Sequence, residues 1–205
     1  MQHLFLALSN PRDGRQQEFH SWYDAFHLQD VVNLCPGFSR GHRYWAAEAQ
    51  GPDRPRWSSL ALYDLEADDV ARLHRDVSAN AHRFTPSNGV FDDDHVAWVY
   101  SPIASAEPLI DVWPGPTNDR LLLAFHDALH AGIDALPPAL ASQTLERHPD
   151  QRGGILPPWR YLTIMRLDRD RAPVLAAEYR AGHQPIAAWL FEGRGRGIAG
   201  NRSAA

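Results

Sequence analysis

Lysine is missing altogether: all 20 basic residues of this 205-residue chain are arginine. Without a lysine amine, Schiff-base catalysis and a Walker-type phosphate loop are excluded, because both depend on that group. Cysteine occurs once, at Cys35, which leaves neither an intrachain disulfide nor a cluster of thiolate metal ligands. Apolar runs are short, and none approaches the roughly 18 residues of a membrane-spanning helix. The opening stretch MQHLFLALSN has no basic segment of the kind that starts a secretion signal. Positive charge is not in excess, since 25 acidic residues against 20 basic ones give a net charge of −5. That balance offers no basic footprint for nucleic acid or an anionic membrane. His-Glu-x-x-His does not occur, so the marker of a zinc protease is absent. The expectation is a cytoplasmic protein whose partner is a small molecule, with no nucleic acid and no membrane involved.

The chain has enough apolar material to fold on its own. Hydrophobic residues make up 44% and charged residues 22%, and a chain of this length buries roughly 70% of its unfolded surface. Three apolar runs recur in the same order in the two halves. Leu6-Ala7-Leu8-Ser9 matches Leu123-Ala124-Phe125-His126, the run from Trp57 to Tyr63 matches that from Trp159 to Met165, and Val96–Tyr100 matches Ala187–Phe191. The offsets shrink from 117 to 102 to 91, so the second copy is the shorter. Between them, Pro102, Pro108, Pro114 and Pro116 mark a connector.

In the first half, periodicity predicts strand 3–9, helix 17–34, strands 39–48 and 57–65, helix 67–83 and strand 95–100. The first helix stops before Pro36-Gly37. The second carries Val70, Leu73, Val77 and Ala81 on one face. This β-α-β-β-α-β order is a ferredoxin-like unit. The second half repeats it with strands near 121–126, 141–148, 159–167 and 186–191 and a helix near 173–181. Its first helix, Ala128–Leu140, is interrupted by Gly132 and Pro137-Pro138 and is expected to be short or irregular. The predicted class is α+β: two fused ferredoxin-like units packing sheet to sheet as an intramolecular pseudo-dimer. The first unit spans 1–104, a Pro-rich connector 105–117, the reduced second unit 118–192 and a flexible tail 193–205.

The first helix has an unusual face. At 100° per residue from Phe19, Trp22 falls at about 300°, Tyr23 at about 40°, Phe26 at about 340°, Asp30 at about 20° and His27 at about 80°. Aromatic rings define the buried side, an acid sits in its middle and a histidine on its edge. His27 is within helical reach of both Tyr23 and Asp30. A carboxylate in such a place needs a partner. His27 is the nearest in sequence, and Arg40 and Arg43 on the next strand are alternatives. In the functional reading, Asp30 orients His27 and raises its basicity for acid–base work. In the structural reading, His27 is half-buried packing and Asp30 pairs with an arginine.

These residues resemble a known family. Asn10-Pro11, then Phe19-x-x-Trp22-Tyr23-Asp24-x-x-His27-Leu28-x-Asp30-Val31, then Pro36-Gly37-Phe38 with Arg43-Tyr44 is similar to the EthD-like branch of the dimeric α+β barrel superfamily. The likeness is tightest over residues 4–100. It implies paired ferredoxin-like sheets closing a barrel, a ligand cavity between sheet and helices, and a catalytic acid/base at His27. Members include cofactor-free cyclases and isomerases of polyketide or lactone substrates, lyases, and haem- or quinone-dependent oxygenases. The second half has no equivalent of Trp-Tyr-Asp-x-x-His, so the resemblance does not extend to a second equivalent site.

The expected function is cofactor-independent acid–base catalysis of isomerase, cyclase or lyase type on an apolar aromatic, lactone or polyketide-like substrate. His27 would move the proton, Asp30 and Tyr23 would support it, and Arg43 would stabilise an enolate. Phe19, Trp22, Phe26, His42, Tyr44, Tyr63 and Trp98 would contact substrate, and Ser9, Asn10 and His95 could join them. On the strand, His42 and Tyr44 project to one side and Arg43 and Trp45 to the other, so one pair faces the cavity. The alternatives are a non-catalytic ligand-binding barrel and a haem-dependent oxygenase or lyase. No metal site is expected: Asp92-Asp93-Asp94-His95 reads as a solvated turn. The literal GxGxxG at Gly195–Gly200 has no room for the helix it would need. The fused halves suffice as a monomer and permit a homodimer.

Overall fold

A computed structural model of the chain describes residues 1–48, 54–104, 108–109, 111, 113, 119–129, 139–150 and 157–200. The elements in order are β1 (Gln2–Ser9), α1 (Gln16–Trp22), a π-helical turn (Tyr23–His27), α2 (Leu28–Leu34), β2 (Phe38–Ala46), β3 (Ser59–Glu66), α3 (Val70–Asn80) with a 3₁₀ turn (Ala81–Arg83), β4 (Val96–Pro102), β5 (Arg120–His126), β6 (Ala141–Arg147), β7 (Tyr161–Leu167), α4 (Ala172–His183) and β8 (Ala187–Ala199). Most of the expected irregular helix of the second half, residues 130–138 of 128–140, lies outside the described residues.

The eight strands close into a barrel in the order β1-β3-β2-β8-β5-β7-β6-β4. Every pairing is antiparallel. Read as β4-β1-β3-β2 followed by β8-β5-β7-β6, this is one ferredoxin-like strand order used twice, joined at β2–β8 and β6–β4. The second seam is short, with three residue pairs from Tyr100–Arg147 to Pro102–Leu145. The first is long because β8 continues past the expected end at 192, carrying Ile198 against Gly41 and Ala199 against Arg40. The expectation of a flexible tail from 193 is therefore corrected: backbone pairing with β2 holds the chain through Ala199, and the GxGxxG stretch begins within that strand.

Strand alternation divides the molecule into compartments. Leu4, Leu6, Leu8, Tyr44, Leu60, Leu62, Trp98 and Tyr100 from one unit and Leu121, Leu123, Phe125, Leu162, Ile164, Trp189 and Phe191 from the other fill the barrel. Its centre is aromatic, with Trp98 edge-on to Trp57 and Trp159, and Phe125 4.6 Å from Trp159 and 4.9 Å from Trp189. Trp113 from the connector is buried against this core, beneath the Arg40 guanidinium at 4.3 Å. The barrel interior is thus side-chain packing, as expected of eight strands.

The opposite face of each sheet carries helices. In the second unit, α4 lays Leu175, Ala176 and Tyr179 flat on Leu122, Ala124, Met165 and Leu190. In the first, α1, α2 and α3 cover Phe5, Phe38, Ala61, Tyr63, Leu65 and Val99. Asp69 caps α3, accepting from the Arg72 amide at 2.7 Å. Two glycines fix the path beneath the helices. Gly37 turns the chain out of α2 at φ +86°, and a Cβ there would sit 2.5 Å from the Glu66 carbonyl. Gly41 makes room for Tyr63, whose ring would lie 2.9 Å from an added Cβ.

Candidate functional site

Between the first sheet and its helices lies a hollow of about 350 Å³, at the small end of the range for ligand sites. Its floor is Phe5, Ala7, Ser9, Phe38, Tyr63 and Ala97, and its roof Trp22, Tyr23, His27, Val31, Val77, Ala81, Phe84 and Phe91, with the exposed His95 beside Ala97 at the rim. The hollow exists because small residues adjoin there. Ala7 stands opposite Ala61 on β3 and Ala97 on β4, where large side chains would meet the helices. Replacing Ala7 by Leu is expected to fill this space. Cavity filling adds about 0.5–2 kcal/mol, so a thermal melt should rise by a few degrees while binding of a small aromatic probe such as naphthalene is lost.

The helix above the hollow is not regular, and this decides which residues reach it. Tyr23–His27 forms a π turn, which inserts about one residue into the helical repeat. Beyond it the register lags, so His27 moves from about 80° to about 340° relative to Phe19. His27 therefore turns onto the buried face, while Phe26 is displaced outward and is 49% exposed. Phe26 lies instead on an outer groove with Arg15, Ser21, Pro86 and Asn88. Trp22 lines both the hollow and this groove.

His27 is held by aromatic rings on several sides. Trp22 stacks on it at 4.4 Å and 18°, Tyr23 meets it edge-on at 4.9 Å and Phe84 at 5.7 Å. Its Nδ1 is buried with no hydrogen-bond partner among the described residues. Burial pushes the imidazole down to about 4; the Asp30 carboxylate pulls it back up and Arg43 pushes it further down. His27 is therefore a neutral ring at pH 7.

The expected Asp30–His27 pairing is corrected, and so is its alternative with an arginine. Asp30 Oδ2 accepts from the Thr85 amide at 2.7 Å, while the Trp22 indole N–H donates to the Thr85 carbonyl at 3.0 Å. Two residues of the α1–α2 helix thus grip the backbone on both sides of Thr85 and hold Phe84 against His27. Asp30 positions a wall of the cavity.

Arg43 also departs from expectation. It does not line the hollow; it lies behind Tyr23, with its guanidinium 4.2 Å from that ring and 5.1 Å from Phe19. Its Nη1 donates to Asp24 at 2.6 Å and its Nη2 to Ser59 Oγ at 3.1 Å. Phe19 is fully buried beneath it and does not line the hollow. Neither face of β2 supplies the hollow with the expected pair. His42 and Tyr44 point into the barrel with Trp98, across the sheet from the hollow, because closure of the barrel makes that face interior. His42 is pushed down to about 4 by burial.

Of the expected residues, His27, Tyr23, Trp22, Tyr63, Ser9 and His95 come together. Burial pushes the Tyr23 and Tyr63 hydroxyls up, and the two hydroxyls interact with each other. Asn10 instead ties strand ends, accepting from the Ser58 amide at 2.8 Å and donating to the Arg56 carbonyl at 3.0 Å. Asp94 pairs with Arg56 and Asp93 with Arg12. Sequence reasoning did not single out Phe84 and Phe91, which sit in loops without periodicity. Val77 and Ala81 were visible as the end of the apolar stripe of α3. No group of three or more metal-ligating side chains occurs among the described residues. His27 and His95 are the imidazoles of the cavity.

No protein-family model matches the sequence, and no curated protein matches it. Solved structures do share its architecture. An anthrone oxidase-like protein superposes with TM-score 0.58 at 10% identity, over 97% of this chain and 92% of that one. A mutant chlorite dismutase from Candidatus Nitrospira defluvii superposes with TM-score 0.53 at 8% identity, over 95% and 92%. No helix is long and apolar enough to cross a membrane among the described residues. The chain has the dimeric α+β barrel fold, with both halves of the barrel supplied by one polypeptide.

Proposed function

We propose that the hollow of the first unit is the active site of a small-molecule enzyme in which His27 takes and returns a proton without a cofactor. The observation that carries this reading is a neutral imidazole with an unpartnered nitrogen, held among aromatic rings in an otherwise apolar cavity. The substrate class is an aromatic or polyketide-like compound with an acidic O–H or activated C–H. His27 removes that proton to give an enolate or phenolate and an imidazolium. Return of the proton to a different atom completes an isomerisation, or a cyclisation when the carbanion has attacked a carbonyl within the same molecule. The EthD-like helix motif and the anthrone oxidase-like fold neighbour agree with such a substrate.

The magnitudes are feasible. Moving a phenolic proton of pKa about 10 to a base of about 4 is uphill by roughly 8 kcal/mol. The ion pair formed recovers about 4 kcal/mol at 4 Å and an effective dielectric of 20. The remainder is small beside ordinary enzymatic barriers.

The test is turnover of a panel of hydroxylated two- and three-ring aromatic ketones as a function of pH. Because the base must be neutral, kcat/KM is expected to be level above pH 5 and to fall with unit slope below about 4. A limb near 6.5, where an unburied imidazole titrates, would overturn the assignment. Between pH 6.5 and 4 the unfolded chain binds protons that folded His27 and His42 refuse, so stability falls as pH is lowered through that window. Recovery of rate on return to pH 7 separates titration from unfolding.

A further inference from the structure

Besides the His27 nitrogen, the residues lining the hollow carry two buried hydroxyls without a hydrogen-bond partner among the described residues, those of Ser9 and Tyr63. Alternation along β1 sends Leu4, Leu6 and Leu8 into the barrel and Phe5, Ala7 and Ser9 towards the helices. Ser9 is 7% exposed, lines the hollow, and its Oγ is buried with no hydrogen-bond partner among the described residues. A buried hydroxyl left unpaired costs about 1–3 kcal/mol. The strand end cannot swing to relieve it: Ser9 is in register with Ser59, and the next residue, Asn10, is fastened to Ser58 and Arg56. The neighbouring surface is nearly all carbon; the one other hydroxyl there that is buried without a partner among the described residues, that of Tyr63, lies beside the hydroxyl of Tyr23, whereas Ser9 has no such neighbour.

We infer that Ser9 is the polar anchor of the cavity, and that the ligand is a flat, otherwise apolar ring system carrying one hydroxyl or carbonyl oxygen on the side that meets the sheet. This rests on the reading of the hollow as the substrate site and narrows it. The Ser9 hydroxyl donates to a carbonyl or phenolate oxygen, or accepts from a phenol, and thereby sets which ring edge is presented to His27. As proton removal places charge on that oxygen, the same donor strengthens its hold.

Calorimetric titration with 1-naphthol and with naphthalene tests the inference on the intact chain. The unaltered protein is expected to bind 1-naphthol about tenfold more tightly, the factor that one recovered hydrogen bond supplies. Ser9→Ala is expected to bring the two ligands to within about twofold, leave naphthalene unchanged and melt no lower than the unaltered protein, since it deletes an unsatisfied group. A preference that survives in Ser9→Ala overturns the anchor while leaving the hollow as a binding site. A preference lost in His27→Phe but kept in Ser9→Ala overturns it in favour of the imidazole. Binding of neither probe overturns both this inference and the proposed active site.

Discussion

His27→Phe is expected to lower kcat on the best substrate of the aromatic panel by 10²–10⁴, the usual share of a positioned base. Phenylalanine keeps a flat ring against Trp22, Tyr23 and Phe84, so the stacked arrangement survives while both nitrogens are lost. Affinity for naphthalene should then stay within a few-fold, and the loss should appear in kcat and kcat/KM together, as for an interaction made in the transition state. His27→Ala should lose as much rate and also melt lower, because it removes the ring that Trp22 packs on. If His27→Phe turned over substrate within tenfold of the unaltered protein, the imidazole would be packing alone and the hollow a binding pocket. Asp30→Asn offers a contrast. Its carboxylate holds the Thr85 amide, and an asparagine oxygen can still accept that bond, so the rate should change far less than in a pair where the acid directly oriented the base.

The contrast between Asp30 and His27 shows where a sequence stops being informative. The doubled strand order was readable because barrel-facing positions must be large and apolar in both halves. Leu6, Leu62 and Trp98 sit inside the barrel, and so do their repeat partners Leu123, Ile164 and Trp189. Periodicity of 2 survives any barrel geometry. The helix wheel assumed 3.6 residues per turn, and the π turn at Tyr23–His27 broke that assumption at the site itself. It exchanged Phe26 for His27 on the inner face. No residue in Tyr-Asp-Ala-Phe-His announces the extra residue, because a π turn is a compromise reached in packing and not a local preference. Arg43 was misread for a related reason. A lone arginine on a strand beside a helix acid and an aromatic ring looks the same in sequence whether it faces substrate or is sealed behind Tyr23. The extension of β8 to Ala199 was hidden by its glycines, which read as loop until a neighbouring strand pairs with them.

Asp24→Ala is expected to destabilise the fold by about 3–5 kcal/mol, far more than an exposed ion pair ordinarily contributes. The reason is an asymmetry across the pair. Asp24 is 40% exposed, whereas Arg43 is 1% exposed. Removing the arginine leaves a carboxylate that water and Arg194, 3.7 Å away, can serve. Removing the aspartate strands a guanidinium whose Nε has no partner among the described residues, where Ser59 Oγ and the faces of Tyr23 and Phe19 are what remains to hold it. Arg43→Met, which keeps most of the volume and deletes the charge, should therefore be the milder change, at about 1–3 kcal/mol. The double variant should cost clearly less than the sum, since the methionine removes the charge that made Asp24→Ala severe. For a chain of this length each kcal/mol moves the melting temperature by about 2–4 °C, so chemical denaturation with parallel melts resolves the three variants. A loss below 1 kcal/mol in Asp24→Ala would mean that the guanidinium finds water or another acceptor, and that the Tyr23 side of the hollow is not fixed by this pair. Tyr23 is both the ring over that guanidinium and a wall of the cavity. Asp24→Ala is therefore also expected to weaken naphthalene binding, although Asp24 touches no part of the hollow.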